Sequence, residues 1–318
     1  MGFPIHAMRL RRVIAFAACL FTLAPLASCG GDQTTPETPA PPAPKPRNAA
    51  EIARSIAGAK VGVLVYAERA RNHPVSAKVA ALNVWQPMLE GTGIDPQRDL
   101  ERAYVAAPSV RSGDKVVAVA QHSLPPERIQ AAVETMIGKS DPPGAWIEGA
   151  KVPSARVTVK GQTRVVAIVE PSFLVILPEA KAKEAARFAG TGGFKDPEGP
   201  EAAVLTAVDP SETLRAPHAP RIPKTIKSAR ATVTLREDGG ADVSSTGQSV
   251  SPEQAKEDAE ALTESVDEAT SIKVAILRIR LFGRVKFTSE GDQVKSTVRL
   301  SADDIDKLFG LLSLALPK

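Results

Sequence analysis

One spacing recurs in this chain. At a constant offset of 126 residues, Gly113 falls on Gly239, Ser123 on Ser249, Leu124 on Val250, Pro126 on Pro252 and Glu127 on Glu253. Each set covers a turn between two β-rich runs and the start of the helical pattern that follows, where backbone geometry narrows the choice of residue. The chain is therefore expected to contain the same supersecondary unit twice.

The order of elements supports this expectation. Val61, Val63 and Val65 alternate as in a strand. A helix is predicted over 76–89, then a hairpin of 102–107 and 115–122 around Ser112, Gly113 and Asp114, and a helix opened by Ser123 to Glu127. Strands over 155–159, 164–170 and 173–177 and a helix over 179–188 complete the first unit. The second unit repeats this: a strand over 202–208, a helical turn at 210–214, a hairpin of 225–236 and 241–250, a long helix, strands over 285–289 and 293–300, and a last helix over 302–316. The order β, α, β, β, α, β is that of a ferredoxin-like unit. The expected class is α+β: two ferredoxin-like-type βαββαβ units in tandem, an internal duplication, with helices packed on antiparallel sheets.

The long helix is predicted from Ser251 as N-cap and Pro252 at the first position to about Phe282. Glu253, Glu257, Asp258, Glu260 and Glu264 crowd its amino-terminal half, and Lys273, Arg278, Arg280 and Arg284 its other end, an order that complements the helix dipole. A strand over Ile272 to Leu281 is the alternative for its last turns.

The amino terminus carries an address. Arg9, Arg11 and Arg12 precede an apolar run from Val13 to Leu26, too short to span a bilayer and about the length of a signal-peptide core. Leu26, Ala27, Ser28 and Cys29 follow, then Gly30 and Gly31. This order resembles the lipobox of bacterial lipoproteins, in which the cysteine is joined to diacylglycerol, the peptide is cut before it and the new terminus is acylated. The resemblance implies a signal peptide over 1–28, lipidation (palmitate or a similar acyl chain) of Cys29, and a membrane partner reached through that anchor. Gly30, where enteric lipoproteins kept in the inner membrane carry Asp, points to the outer membrane, facing the periplasm. Residues 32–47 hold Pro36, Pro39, Pro41, Pro42, Pro44 and Pro46. Such a segment cannot build a core and reads as an extended tether reaching about 3.1 Å per residue. The expected boundaries are 1–28 signal peptide, 29–50 lipidated cysteine and tether, 51–197 first unit and 198–318 second unit.

Composition then excludes partners. The formal charge of +4 includes Arg9, Arg11 and Arg12 in a segment with no acid, so the processed chain is near neutral and has no basic footprint for nucleic acid. Cys19 lies in the discarded segment and Cys29 would be capped, leaving no thiol for a disulfide or a metal.

Chemistry-bearing patterns are sparse. His73, His122 and His218 show no ligand spacing, so no metal and no cofactor are expected. His122 beside Ser123, with Asp114 across the hairpin, has the residue types of a hydrolytic triad but no nucleophile elbow, and Ser123 suits a helix cap. Gly190 to Lys195 lacks the Walker spacing, and Asp303, Asp304 and Asp306 suit a helix start. Trp85 shares a helix face with Ala81, Met88 and Leu89. Trp146, in a loop rich in Pro and Gly, is the candidate binding anchor. No catalytic residue is assigned. The expectation is a non-enzymatic, lipid-anchored envelope protein that binds or scaffolds another protein. A carrier of an apolar ligand or lipid is the alternative, and an enzyme with a noncanonical site comes third.

Overall fold

The computed structural model describes residues 48–82, 86–216, 219–274, 277–280 and 282–315. Its strands are β1 Val61–Tyr66, β2 Leu100–Ala107, β3 Val117–His122, β4 Ala145–Trp146, β5 Ser154–Val159, β6 Gln162–Val169, β7 Phe173–Pro178, β8 Glu201–Val208, β9 Ser228–Leu235, β10 Ala241–Gln248, β11 Ser271–Val274, β12 Leu277–Arg280, β13 Phe287–Glu290 and β14 Gln293–Leu300. Twelve of them form a single sheet in the order β13-β14-β10-β9-β8-β1-β2-β3-β7-β6-β5-β4, and β11 and β12 form a separate pair. The class is α+β, with helices on one large antiparallel sheet.

Outward from its centre, the sheet has one order in both directions. From β1 the strands run first, second, third, last and penultimate of their half (β1, β2, β3, β7, β6), and from β8 they do the same (β8, β9, β10, β14, β13). The hairpins β2–β3 and β9–β10 each lead into a helix, Pro126–Lys139 and Pro252–Ala269, and the chain then returns so that its last strand pairs with the third. This differs from the ferredoxin-like expectation. A βαβ crossover leaves the two strands it joins parallel, whereas here the strands joined through helices pair with each other directly and antiparallel, β1 with β2, β8 with β9, β3 with β7 and β10 with β14. Each half is an antiparallel meander closed by a returning hairpin. The halves meet edge to edge through β1 and β8, with Val63 opposite Leu205.

The helix after β10 ends at Ala269, far short of Phe282. Ser251 does cap it, its hydroxyl accepting from the Gln254 N–H at 3.2 Å. Beyond it the β-branched run that begins at Ile272 favours extended backbone, and the strand alternative holds for Ser271–Val274 and Leu277–Arg280. The predicted Ser123 cap is also displaced. The helix starts at Pro126 with Pro125 as its uncapped N-cap, because two successive prolines hold the preceding backbone extended.

Layering follows from side-chain alternation. On one face of the first half, Val117, Val119, Val165 and Val175 pack under the helix Ala49–Ala57 and the 3-10 helix Glu179–Phe188. On the other, Ala155, Val157 and Val166 pack under Ile129, Val133 and Met136 of the helix Pro126–Lys139. The second half has its apolar layer on one face. Val233, Val243 and Val298 lie on the side of the helix Pro252–Ala269, while Arg230, Thr232, Asp242, Ser244 and Thr297 occupy the opposite parity.

Hydroxyls occupy backbone donors near both edges of the large sheet. Near β4 the Ser140 Oγ accepts from the Thr158 N–H at 2.6 Å, and at the far edge the Thr263 Oγ1 accepts from the Phe287 N–H at 3.0 Å. Each takes up a donor that a further strand would need.

Candidate functional site

The register of the central strands assembles one continuous apolar strip. Val63 stands opposite Val105 on β2 and Leu205 on β8, and Val65 opposite Ala103 and Ala203. Val105 and Ala103 in turn face Ala118 and Ala120 on β3, which face Ile176 and Leu174 on β7. Directly opposed residues share a sheet face, so all of these project to the side that carries the helices Pro126–Lys139 and Pro252–Ala269. Those helices pack at the flanks of that face, one against β5 and β6 and the other against β13 and β14. The connection from β1 to β2 crosses between them, with Val75 packed on the cluster of the second half and Met88, Leu89 and Ile94 on that of the helix Pro126–Lys139, and on this part of the face Val63, Val65, Ala103, Val105, Ala118, Ala120, Ile176 and Ala203 are half-buried. Five adjacent strands give a floor about 19 Å wide at roughly 4.8 Å per strand. Alanine and valine make that floor low, and the result is a shallow apolar trough.

The trough has one titratable side chain among its ladder positions. His122 continues the parity of Ala118 and Ala120 at the end of β3. It is 4% exposed, and neither ring nitrogen has a hydrogen-bond partner among the described residues. Burial holds the imidazole below its ordinary value of 6.5, and the Leu124 backbone opposes that shift. A base whose folded pKa is depressed contributes stability that is fully present above the unfolded value and is lost as pH falls through the folded one. The carboxylates held low by neighbours, Glu198, Asp209, Asp238, Glu253 and Asp304, start from 4.5 or 3.8 and act at more acidic pH. The melting temperature is therefore expected to fall between pH 7 and pH 5, and His122→Leu should flatten that fall. Thermal melts across this range check it; an unchanged slope in the variant counts against the assignment.

The opposite face of the same strands is filled. Tyr104 lies over Gly62 and packs against Phe194, ring centroids 6.3 Å apart. Tyr66 is buried between the Arg69 and Arg102 guanidinium groups, 5.5 and 5.6 Å from its ring centre. Burial pushes its phenol up, and Glu201 adds to the shift. Arg102 pairs with Asp196 at 2.9 Å and Glu68 at 3.4 Å. These charges balance locally and tie the chain ahead of β8 to the sheet.

The residues singled out from sequence are dispersed. Cys29, Trp85 and His218 lie outside the described residues. Trp146 sits in the two-residue edge strand β4 opposite Ala155 and is 37% exposed, well away from the trough. Asp114 precedes β3 and His122 ends it, so the strand holds the two about 20 Å apart at roughly 3.4 Å per residue; no triad is brought together. Gly190 to Lys195 is pinned down: the Gly193 carbonyl accepts from the Ala49 N–H at 2.9 Å and Phe194 is buried against Phe173. Ser301 and Asp304 cap each other's backbone at the last helix start, and Lys78 pairs with Asp306. His73 is spent on structural bonds, Nε2 donating to the Arg236 carbonyl at the end of β9 at 2.9 Å while Nδ1 accepts from the Val75 N–H. Among the described residues no group of three or more His, Cys, Asp or Glu could hold a metal ion, and no helix is long and apolar enough to cross a membrane.

The residues that floor the trough were not singled out in the sequence. A signal for it exists in β1 and β8, Val-Gly-Val-Leu-Val-Tyr and Glu-Ala-Ala-Val-Leu-Thr-Ala-Val, which are apolar at both parities. Such strands belong at the centre of a sheet covered on both faces, and here one of those covers is incomplete.

No protein-family model matches this chain, and no curated protein matches it. Among solved structures the chain is similar to one titled "Structure of crystal form I of TP0453", at 13% identity and a TM-score of 0.46, over 84% of this chain and 97% of that one.

Proposed function

We propose that this chain is an exported, lipid-anchored envelope protein that acts as a binder, its folded part holding an apolar chain in the trough between the helices Pro126–Lys139 and Pro252–Ala269. The observation that carries the reading is the half-buried floor of Val63, Val65, Ala103, Val105, Ala118, Ala120 and Ile176. A contiguous apolar surface of this kind marks a binding site more often than idle exposure. Each methylene removed from water there contributes about 0.8 kcal/mol, so ten of them supply roughly 8 kcal/mol before the cost of association. The anchor is supported by Leu26 to Cys29 and the basic and apolar segments ahead of them, and the outer membrane facing the periplasm is the proposed location. The matching strand order outward from β1 and β8 supports reading the two halves as an internal duplication.

Two experiments test this. Cys29→Ala should abolish fatty-acid labelling and leave the precursor uncut; retained labelling overturns the anchor. The chain from residue 29 carrying Cys29→Ala, which has no acyl group of its own to compete, should bind a fluorescent long-chain probe in the micromolar range. Placing lysine at both Val63 and Val105 should weaken that binding at least tenfold while the cooperative melt persists. A folded protein that ignores the probe, or variants that bind as well as the parent, overturns the trough as the site.

A further inference from the structure

We infer that the ligand of the trough is a long-chain carboxylic acid whose carboxyl group is received by His122. The inference rests on the trough as the binding site and adds the chemistry of the head group.

The argument starts from an unfilled requirement. A buried polar side chain is ordinarily hydrogen-bonded, and one that is not calls for a physical explanation. His122 is 4% exposed with both ring nitrogens unpartnered among the described residues. Its backbone is satisfied, the N–H donating to the Ser172 carbonyl at 2.9 Å, so the deficit lies in the ring alone. Strand parity puts that ring on the same face as Ala118 and Ala120, in line with the trough floor. It is the titratable residue of that face at the ladder positions of β8, β1, β2, β3 and β7.

The opposite end of the trough offers a contrast. Lys60, just ahead of β1, is the nearest cation there in sequence, but it is committed to Asp209 at 2.8 Å and is exposed to water. A carboxylate meeting Lys60 would have to displace that partner and would gain little in solvent. At His122 there is no charged partner to displace among the described residues, the ring having the Leu124 backbone nearby. The neutral imidazole offers one donor and one acceptor, and a carboxylic acid offers the complementary pair. If the acid is ionised, its charge can draw a proton onto the ring and form a charge-assisted bond away from water. A chain that carries the head gains the bond at His122 that a chain without it does not, so the site prefers the acid. An alkyl chain without a head would occupy the floor and leave His122 as it is.

The test titrates the chain from residue 29 carrying Cys29→Ala with palmitic acid, its methyl ester and hexadecanol at pH 7, and repeats each titration with His122→Leu and His122→Asn. The expected result is that the acid binds at least tenfold more tightly than the ester and more tightly than the alcohol. His122→Leu should remove that preference and leave ester binding unchanged. The His122 ring nitrogen resonances should move on adding the acid and stay in place on adding the ester. Equal binding of acid and ester, a preference that survives in both variants, or unmoved ring resonances overturns the inference while the trough stands. If the alcohol matches the acid, the head group is a hydroxyl donor and the carboxyl assignment falls. If none of the three binds, the trough reading falls with it.

Discussion

Asp258→Ala is expected to lower the unfolding free energy by about 3 kcal/mol, in the upper range for a single substitution. Asp258 is 1% exposed in the helix Pro252–Ala269, and both of its carboxylate oxygens are engaged. Oδ1 accepts from the Thr225 hydroxyl at 2.6 Å and the Gln254 amide at 3.2 Å, and Oδ2 accepts from the Ser249 hydroxyl at 2.5 Å. These bonds hold together the chain entering β9, the end of β10 and the helix. Alanine would strand the Thr225 and Ser249 hydroxyls where water cannot replace their partner. Asparagine keeps one acceptor oxygen and should recover part of the loss, so Asp258→Asn is expected to melt between the parent and Asp258→Ala. Chemical denaturation of the three proteins decides it. An alanine variant within about 0.5 kcal/mol of the parent would show that the network contributes nothing net.

Asp258 also shows where sequence reading stops. Its place among Glu253, Glu257, Glu260 and Glu264 makes it look like one more acid serving the helix dipole. Burial of a single member of such a row is decided by which residues the neighbouring strands bring beneath it, and the partners are 33 and 9 residues away in the chain. The local signals fared better. Strand parity, Gly239 in its left-handed turn and Ser251 before Pro252 are set by backbone rules within a few residues, and both hairpins and the helix starts near them were legible. The ferredoxin-like arrangement was not, because element order is shared by crossover and meander. Whether the chain returns beside β3 with β5 or with β7 depends on long-range pairing that no local pattern encodes. The trough was hidden for the same reason. Ala103, Ala118 and Ala120 are ordinary strand residues until the register lines them up across β2 and β3.

Gly62→Ala is expected to destabilise the protein by at least about 2 kcal/mol, because the space for a side chain is already taken. A Cβ at position 62 would lie 2.1 Å from the Tyr104 Oη and 2.9 Å from its Cζ. Tyr104 has little freedom to yield: it is 5% exposed, belongs to the core under the helix Ala49–Ala57, and packs on Phe194. Gly62 is therefore required for close approach, with β1 drawn against a ring from β2. The two residues should be coupled. Tyr104→Phe removes the atom at 2.1 Å while keeping the ring, so the double variant should lose less stability than the two single losses added together. Strict additivity would mean that the ring moves aside freely and that the contact does not position β1. The consequence reaches the other face of the sheet, since Val61 and Val63 on either side of Gly62 project to the trough side. A shift of β1 that accommodates alanine would displace the middle of the trough floor, so Gly62→Ala should weaken binding of the long-chain probe beyond what the folded fraction accounts for.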